Sequence, residues 1–260
     1  MKINVLRADP AGNITLFVLS PVPREERTRV AGKLMDMADF KAEQVGFVCP
    51  PTQGALARME MAGGEFCGNA TRAFGMYTAQ THGGLSQPLV EVSGCDHPVT
   101  VDVDLAAGTS RAQMPLPVWV RPAQVGEVRG TLVHLWGIAH LVVEDVEPSM
   151  DFFDRAEHLF QDIEGLDAYG VIFLEPATGK MTPLVKVPAA NTLVWEGSCG
   201  SGSLACAVAQ SQGAPDGPFE RDYIQPAGVV RATAVRQGGQ VTAAYIGGPV
   251  SLDDPVEVEL

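Results

Sequence analysis

The sequence is short of positive charge. Its 18 lysines and arginines face 31 aspartates and glutamates, a net charge of −13, and the basic residues form no run or stripe. A chain of that sign has no electrostatic footprint for a phosphate backbone, so nucleic acid is excluded as a partner. Long apolar runs are also missing. No stretch approaches the ~20 apolar residues that a membrane-spanning helix needs, so no membrane partner is expected. The opening MKINVLRADP lacks the basic and apolar segments of a secretory signal. Cysteine is sparse: five residues, an odd number at irregular spacing, do not make a disulfide framework. No CxxC or HxxxH pattern suggests a metal site. These absences together point to a soluble, cytoplasmic protein with free thiols and no metal.

Glycine and proline, by contrast, are plentiful at 28 and 19, which calls for many tight turns and a strand-rich fold. At 260 residues and 46% hydrophobic composition, the chain can bury one large core or two smaller ones. Residues 2–7 and 14–19 read as strands joined by the turn Asp9 to Asn13. A helix is expected over 24–37, then strands over 45–48 and 55–61. A second helix begins near Cys67, where Ala70, Ala73, Phe74 and Tyr77 have helical spacing. Short alternating strands follow over 89–94, 98–105 and 110–115. Pro115, Pro117 and Pro122 mark an expected hinge.

Beyond that hinge the order recurs. Two strands lie within 131–145, and a helix over 150–163 carries the apolar stripe Phe152, Phe153, Ala156, Leu159, Phe160 and Ile163. Strands over 170–175 and 183–187 lead to a second Cys-Gly motif in WEGSCGSGSLACAVA, then to strands over 229–235 and 241–246. Cys67 and Cys199 lie 132 residues apart, close to half the chain length. A duplicated α+β unit explains this spacing.

Each of the two cysteines falls where a helix begins. Unpaired N–H groups and the helix dipole favour negative charge there, so both thiols are expected to be acidified. If two copies of one fold pack face to face, the two sulfurs approach one ligand from opposite sides. One thiolate then removes a Cα proton and the other thiol delivers a proton to the far face. The helix N-termini can hold the substrate carboxylate as its charge grows. Small residues around the thiols, Gly68, Ala70, Gly200, Ser201, Gly202 and Ser203, allow close backbone approach. Cys49, Cys95 and Cys206 read as small buried residues.

GGEFCGNATR (Gly63 to Arg72) and SCGSGSLACA (Ser198 to Ala207) resemble the two active-site motifs of the diaminopimelate epimerase superfamily, racemases and epimerases that use two cysteines and no pyridoxal phosphate. AGNITLFV (Ala11 to Val18), WGIAHLVV (Trp136 to Val143) and GGPV (Gly247 to Val250) resemble further elements of that superfamily. The similarity touches most of the chain. It implies two pseudo-symmetric lobes, each a mostly antiparallel sheet or barrel wrapped around a central helix. The lobes would be 1–116, completed by 248–260, and 117–247. It also implies Cys67 and Cys199 as catalytic residues, a small amino-acid substrate and no cofactor. Asn13 falls on the superfamily's ligand-contacting asparagine.

Departures from the pattern bear on substrate. The Glu-Arg pair that precedes the second cysteine in diaminopimelate epimerases is absent from VPAANTLVWEGSCG (Val187 to Gly200). Ile138 replaces one substrate asparagine, and Met61 lies near the place of another. A second amino-acid head would then leave its buried carboxylate unpaired, at a cost of several kcal/mol. What remains is similar to the histidine racemases that feed opine-type metallophore synthesis. Glu65 and Glu196 are candidates for binding the substrate's amino group or side chain, or simply complement the helix dipoles. Asn69 is a ligand contact or a helix cap, and Thr71 is a further candidate contact. His140 is a substrate contact or a core histidine, and Trp195 is a wall for a flat side chain or a packing residue. Diaminopimelate epimerase and a thiol redox switch are the alternatives, and a homodimer is compatible with the sequence.

Overall fold

A computed structural model of the chain describes residues 1–260, the side chain of Ala190 excepted. Its elements begin with β1 (Lys2–Asp9), β2 (Thr15–Val18), α1 (Arg27–Met35), β3 (Gln44–Cys49), β4 (Ala57–Met61) and α2 (Gly68–Thr81). There follow β5 (Leu89–Val92), β6 (Val99–Asp104), β7 (Thr109–Gln113), β8 (Trp119–Val125), β9 (Val128–Leu135) and β10 (Ile138–Glu144). Next come α3 (Met150–Ala156), β11 (Ala168–Glu175), β12 (Lys180–Val187), β13 (Thr192–Trp195) and α4 (Gly200–Gln210). The chain ends with β14 (Gly217–Gln225), β15 (Gly228–Gln237), β16 (Gln240–Pro249), β17 (Ser251–Leu252) and β18 (Val256–Glu259). It divides into two compact units, Met1–Gln113 with Gly247–Leu260, and Met114–Ile246.

Both units run through the same series of strand pairings. In the first, β1 and β2 are antiparallel, β2 and β3 parallel, β3 and β4 antiparallel, β4 and β5 parallel, β5 and β6 antiparallel. In the second, the same alternation joins β9 to β10, β10 to β11, β11 to β12, β12 to β14 and β14 to β15. The parallel steps fall where a helix intervenes, because parallel strands cannot be joined by a tight turn. Antiparallel pairings still outnumber parallel ones, and the fold is α+β.

Strand parity explains why both sheet faces are apolar. In β1 and β2, Ile3, Val5, Leu16 and Val18 pack with Val30 and Leu34 of α1. The alternate residues Leu6, Ala8 and Phe17 pack with Ala70, Ala73 and Phe74 of α2. In the second unit, Leu141, Val143, Val171 and Phe173 pack with Phe152 and Phe153 of α3, which leaves the opposite parity of β10 and β11 for α4. Strands covered on both faces read as continuous apolar runs rather than alternating ones. Helices α2 and α4 are buried on nearly every side; these are the central helices of the two units.

Several boundaries differ from expectation. The helix expected over 24–37 is a 3₁₀ turn, Arg24–Glu26, followed by the shorter α1. The one expected over 150–163 ends at Ala156 and tightens into a 3₁₀ turn, Glu157–Phe160. Pro122 does not sit in a hinge but within β8, opposite Thr131 of β9. Proline is tolerated on a strand's unpaired side. Residues 217–225, given no strand by periodicity, form β14. Its inward positions include Arg221 and Gln225, and these polar residues mask the alternation.

Candidate active site

Each unit presents one cysteine as the N-cap of its central helix. Cys67 precedes α2 with φ −125° and ψ 112°, and Cys199 precedes α4 with φ −123° and ψ 106°. In both, the sulfur accepts the N–H three residues on: Ala70 at 3.4 Å and Gly202 at 3.3 Å. In both, the hydroxyl four residues on donates to the cysteine carbonyl, Thr71 at 2.8 Å and Ser203 at 2.8 Å. The two centres therefore share extended backbone, a sulfur-capped turn and a hydroxyl brace.

Gly202 shows how tight the second turn is. A Cβ there would lie 2.8 Å from Ile172 Cδ1 and 3.1 Å from Cys199 Sγ, so a larger residue would displace the sulfur or the sheet. The loop before each cysteine is tied to the strand that follows the helix. Ser93, just past β5, donates to the Glu65 carbonyl at 2.8 Å. Gln225, the last residue of β14, accepts the Cys199 N–H at 2.6 Å and donates to Ser203 Oγ at 3.0 Å. The neighbouring Ala227 N–H donates to the Gly197 carbonyl at 2.9 Å.

Around Cys67, the Asn13 amide oxygen lies 3.8 Å from the sulfur. Gln44 donates to that oxygen and to Thr15 Oγ1, both at 2.8 Å. Asn13 in turn donates to Glu43 at 2.7 Å. The Asn69 side chain is buried and does not cap α2; its oxygen accepts from Arg72 Nε at 3.1 Å. Arg72 is fully buried, donates to the Gly248 and Pro249 carbonyls, and is held down to about 10 by desolvation. Glu65 is exposed, and Gly68 starts the helix. Met61 belongs to the hydrophobic core.

Around Cys199, Ser201 Oγ is 3.5 Å from the sulfur and 2.8 Å from His140 Nε2. His140 lies on the α4 face of β10 with no exposed surface. The Glu196 carboxylate accepts from the Cys199 thiol. Trp195 tilts against Phe173 with ring centroids 6.0 Å apart and stays 42% exposed.

The expectation of acidified thiols is not met. Burial pushes the Cys67 thiol up, although Cys67 keeps partial exposure, and Glu65 adds to the rise. Donors from Ala70, Gln44 and Asn69 oppose it. Cys199 is raised well above the usual thiol range, by burial first and then by the Glu196 charge and hydrogen bond; Ser201 and Gly202 pull the other way. The helix N-terminus acts in the expected direction, but desolvation of a thiolate outweighs it. Cys49 and Cys95 are partly exposed rather than buried, because they end a strand and sit in a turn; Cys206 is fully buried. Gln44, Glu43 and Gln225 were not foreseen. Their only sequence signal was a polar side chain at a strand end.

A family model described as "Histidine racemase CntK N-terminal domain" matches residues 2–254. The chain belongs to this family. The histidine racemase of Staphylococcus aureus (strain Mu50 / ATCC 700699) is 27% identical over 249 residues, covering 90% of this chain and 89% of that one. That of Fusobacterium nucleatum subsp. nucleatum (strain ATCC 23726 / VPI 4351) is 26% identical over 267 residues, with 98% and 94% covered. Among solved structures, a PhzF-family phenazine biosynthesis protein from Bacillus anthracis superposes with a TM-score of 0.73 at 16% identity over 100% of both chains. A hydroxyproline epimerase from Agrobacterium vitis gives 0.63 at 11% identity, covering 99% of this chain and 91% of that one. These structures share its fold. The family member described here is an isomerase, an amino-acid racemase with a small amino-acid substrate. Among its described residues no helix is long and apolar enough to cross a membrane, and no cluster of three or more His, Cys, Asp or Glu could hold a metal ion.

Proposed function

We propose that this chain racemises histidine by a two-base mechanism in which Cys67 and Cys199 exchange protons with Cα, without pyridoxal phosphate. The observation that carries the reading is the matched pair of sulfur-capped helix N-termini, one in each unit. One sulfur, as thiolate, takes the Cα proton and becomes a thiol; the other, as thiol, gives its proton to the opposite face and becomes a thiolate. The enzyme finishes with protonation states exchanged and is ready for the reverse turnover. A thiol raised by burial is ionised less often, but its thiolate is the stronger base. That trade suits abstraction of a weakly acidic Cα–H.

The N–H groups of Gly68, and of Gly200 and Ser201, come too early in their helices for an intrahelical acceptor. We assign them to the substrate carboxylate, where they stabilise charge growing toward an enediolate. Asn13, Glu65 and Glu196 are assigned to the substrate's ammonium or imidazole. Histidine as substrate is supported by the names of the relatives and by the missing anchors for a second amino-acid head. A chiral screen of the twenty L-amino acids and diaminopimelate, with reductant and without pyridoxal phosphate, tests the reading. Inversion of histidine above all others is expected; inversion of diaminopimelate but not histidine would overturn it.

A further inference from the structure

The β10 face that carries Ile138 and Val142 has two polar residues, His140 and Glu144, and of the two only His140 is buried. His140 has no exposed surface, its Nε2 meets Ser201 Oγ at 2.8 Å, and its Nδ1 has no partner among the described residues. Ser201 Oγ reaches on to Cys199 Sγ at 3.5 Å. We infer that His140 and Ser201 form a one-way hydrogen-bond relay ending on the Cys199 sulfur, with His140 the positioning residue for that thiol.

The direction follows from what can be left unpaired. A proton on Nδ1 would strand a buried N–H donor, whereas a proton on Nε2 strands only an acceptor, the smaller penalty. With Nε2–H donating to Ser201 Oγ, the serine's single O–H is released from the histidine and points its donor at the sulfur. Burial holds His140 down to about 3, so the ring stays neutral and the relay does not switch across working pH. Glu196 is the charged group facing Cys199 and favours the protonated thiol; the relay is its counterweight and favours the thiolate. Cys67 has no hydroxyl two positions on; the residue there is Asn69, whose oxygen accepts from Arg72, and the side-chain donor to its sulfur is Gln44. The inference rests on the assignment of Cys199 as an acid/base group.

The test is the alkylation rate of Cys199 by iodoacetamide at pH 8 in a Cys67→Ser background, read by peptide mass spectrometry. Losing a hydrogen bond to an anionic sulfur raises its pKa by about one unit, so Ser201→Ala and His140→Phe should each slow alkylation about tenfold. His140→Gln, whose amide can still donate near the Nε2 position, should restore most of the rate. The Ser201→Ala/His140→Phe pair should be no slower than Ser201→Ala alone. Unchanged or faster alkylation in both single variants would overturn the relay, faster alkylation meaning that the side chains only pack. Racemisation by Cys199→Ser separates the two levels. An inactive Cys199→Ser with unmoved alkylation removes the relay alone. An active Cys199→Ser with slowed alkylation removes the acid/base assignment and leaves the relay.

Discussion

Replacing Gln225 with leucine removes a clasp whose parts are all enclosed. The Gln225 amide accepts the Cys199 N–H at 2.6 Å and donates to Ser203 Oγ at 3.0 Å, and Gln225, Ser203 and Cys199 are all buried. In Gln225→Leu the buried Cys199 N–H loses its acceptor. Ser203 still donates to the Cys199 carbonyl, so it loses only an accepted bond. One stranded buried donor costs about 1–3 kcal/mol. At about 2–4 °C per kcal/mol for a domain of this size, the melting temperature should fall by roughly 2–12 °C. The Cys199 N-cap also loses its anchor, and a displacement near 1 Å can cost on the order of 100-fold in rate. Circular dichroism melts and histidine racemisation measure the two effects. Gln124→Leu is the control, because Gln124 makes one exposed bond to the Gly126 carbonyl. If Gln225→Leu melts within about 1 °C of wild type and keeps its rate, the argument that a buried amide fixes the cysteine is refuted.

The two thiols should react unequally. Cys67 is surrounded by donors and partly exposed, while Cys199 is buried against Glu196; iodoacetamide at pH 8 should modify Cys67 first, and the reverse order by peptide mapping would contradict the electrostatics. Acid should destabilise the protein through His140, whose folded value of about 3 lies below its ordinary 6.5. Between those limits the unfolded chain binds the proton and the folded one does not. Stability therefore falls as pH drops through that window, by about 1.4 kcal/mol per pH unit for this one group. Denaturant melts from pH 7 to 4 should show a shallower pH dependence in His140→Gln; an unchanged slope would mean that the ring is not held neutral.

Much of this was legible in the sequence because the decisive signals are local. Cys67 and Cys199 announce themselves by small residues and helical spacing, and both cap helices where expected. The apolar runs within 131–145 and 170–175 read as strands, and β10 and β11 form there, covered by α3 and α4 on opposite faces. Thiol ionisation was read the wrong way round, since desolvation depends on what closes over a side chain and not on its neighbours in sequence. Gln225 and Gln44 were missed for a related reason. A glutamine at a strand end looks like surface until the fold turns it onto a cysteine 26 residues away, or onto Asn13 across 31 residues. Helix lengths were overestimated where the last turns tighten to 3₁₀, because i, i+3 and i+4 apolar spacing is similar in both forms.

The central claim is that both sulfurs take part in each inversion. Cys67→Ser and Cys199→Ser, assayed separately with L- and D-histidine in deuterium oxide with reductant, test it most directly. Wild type should racemise either enantiomer and carry solvent deuterium at Cα of the product. Each single variant should lose steady racemisation, retaining at most exchange of one enantiomer's Cα proton. Sustained racemisation by either variant at near the wild-type rate would contradict the two-base account.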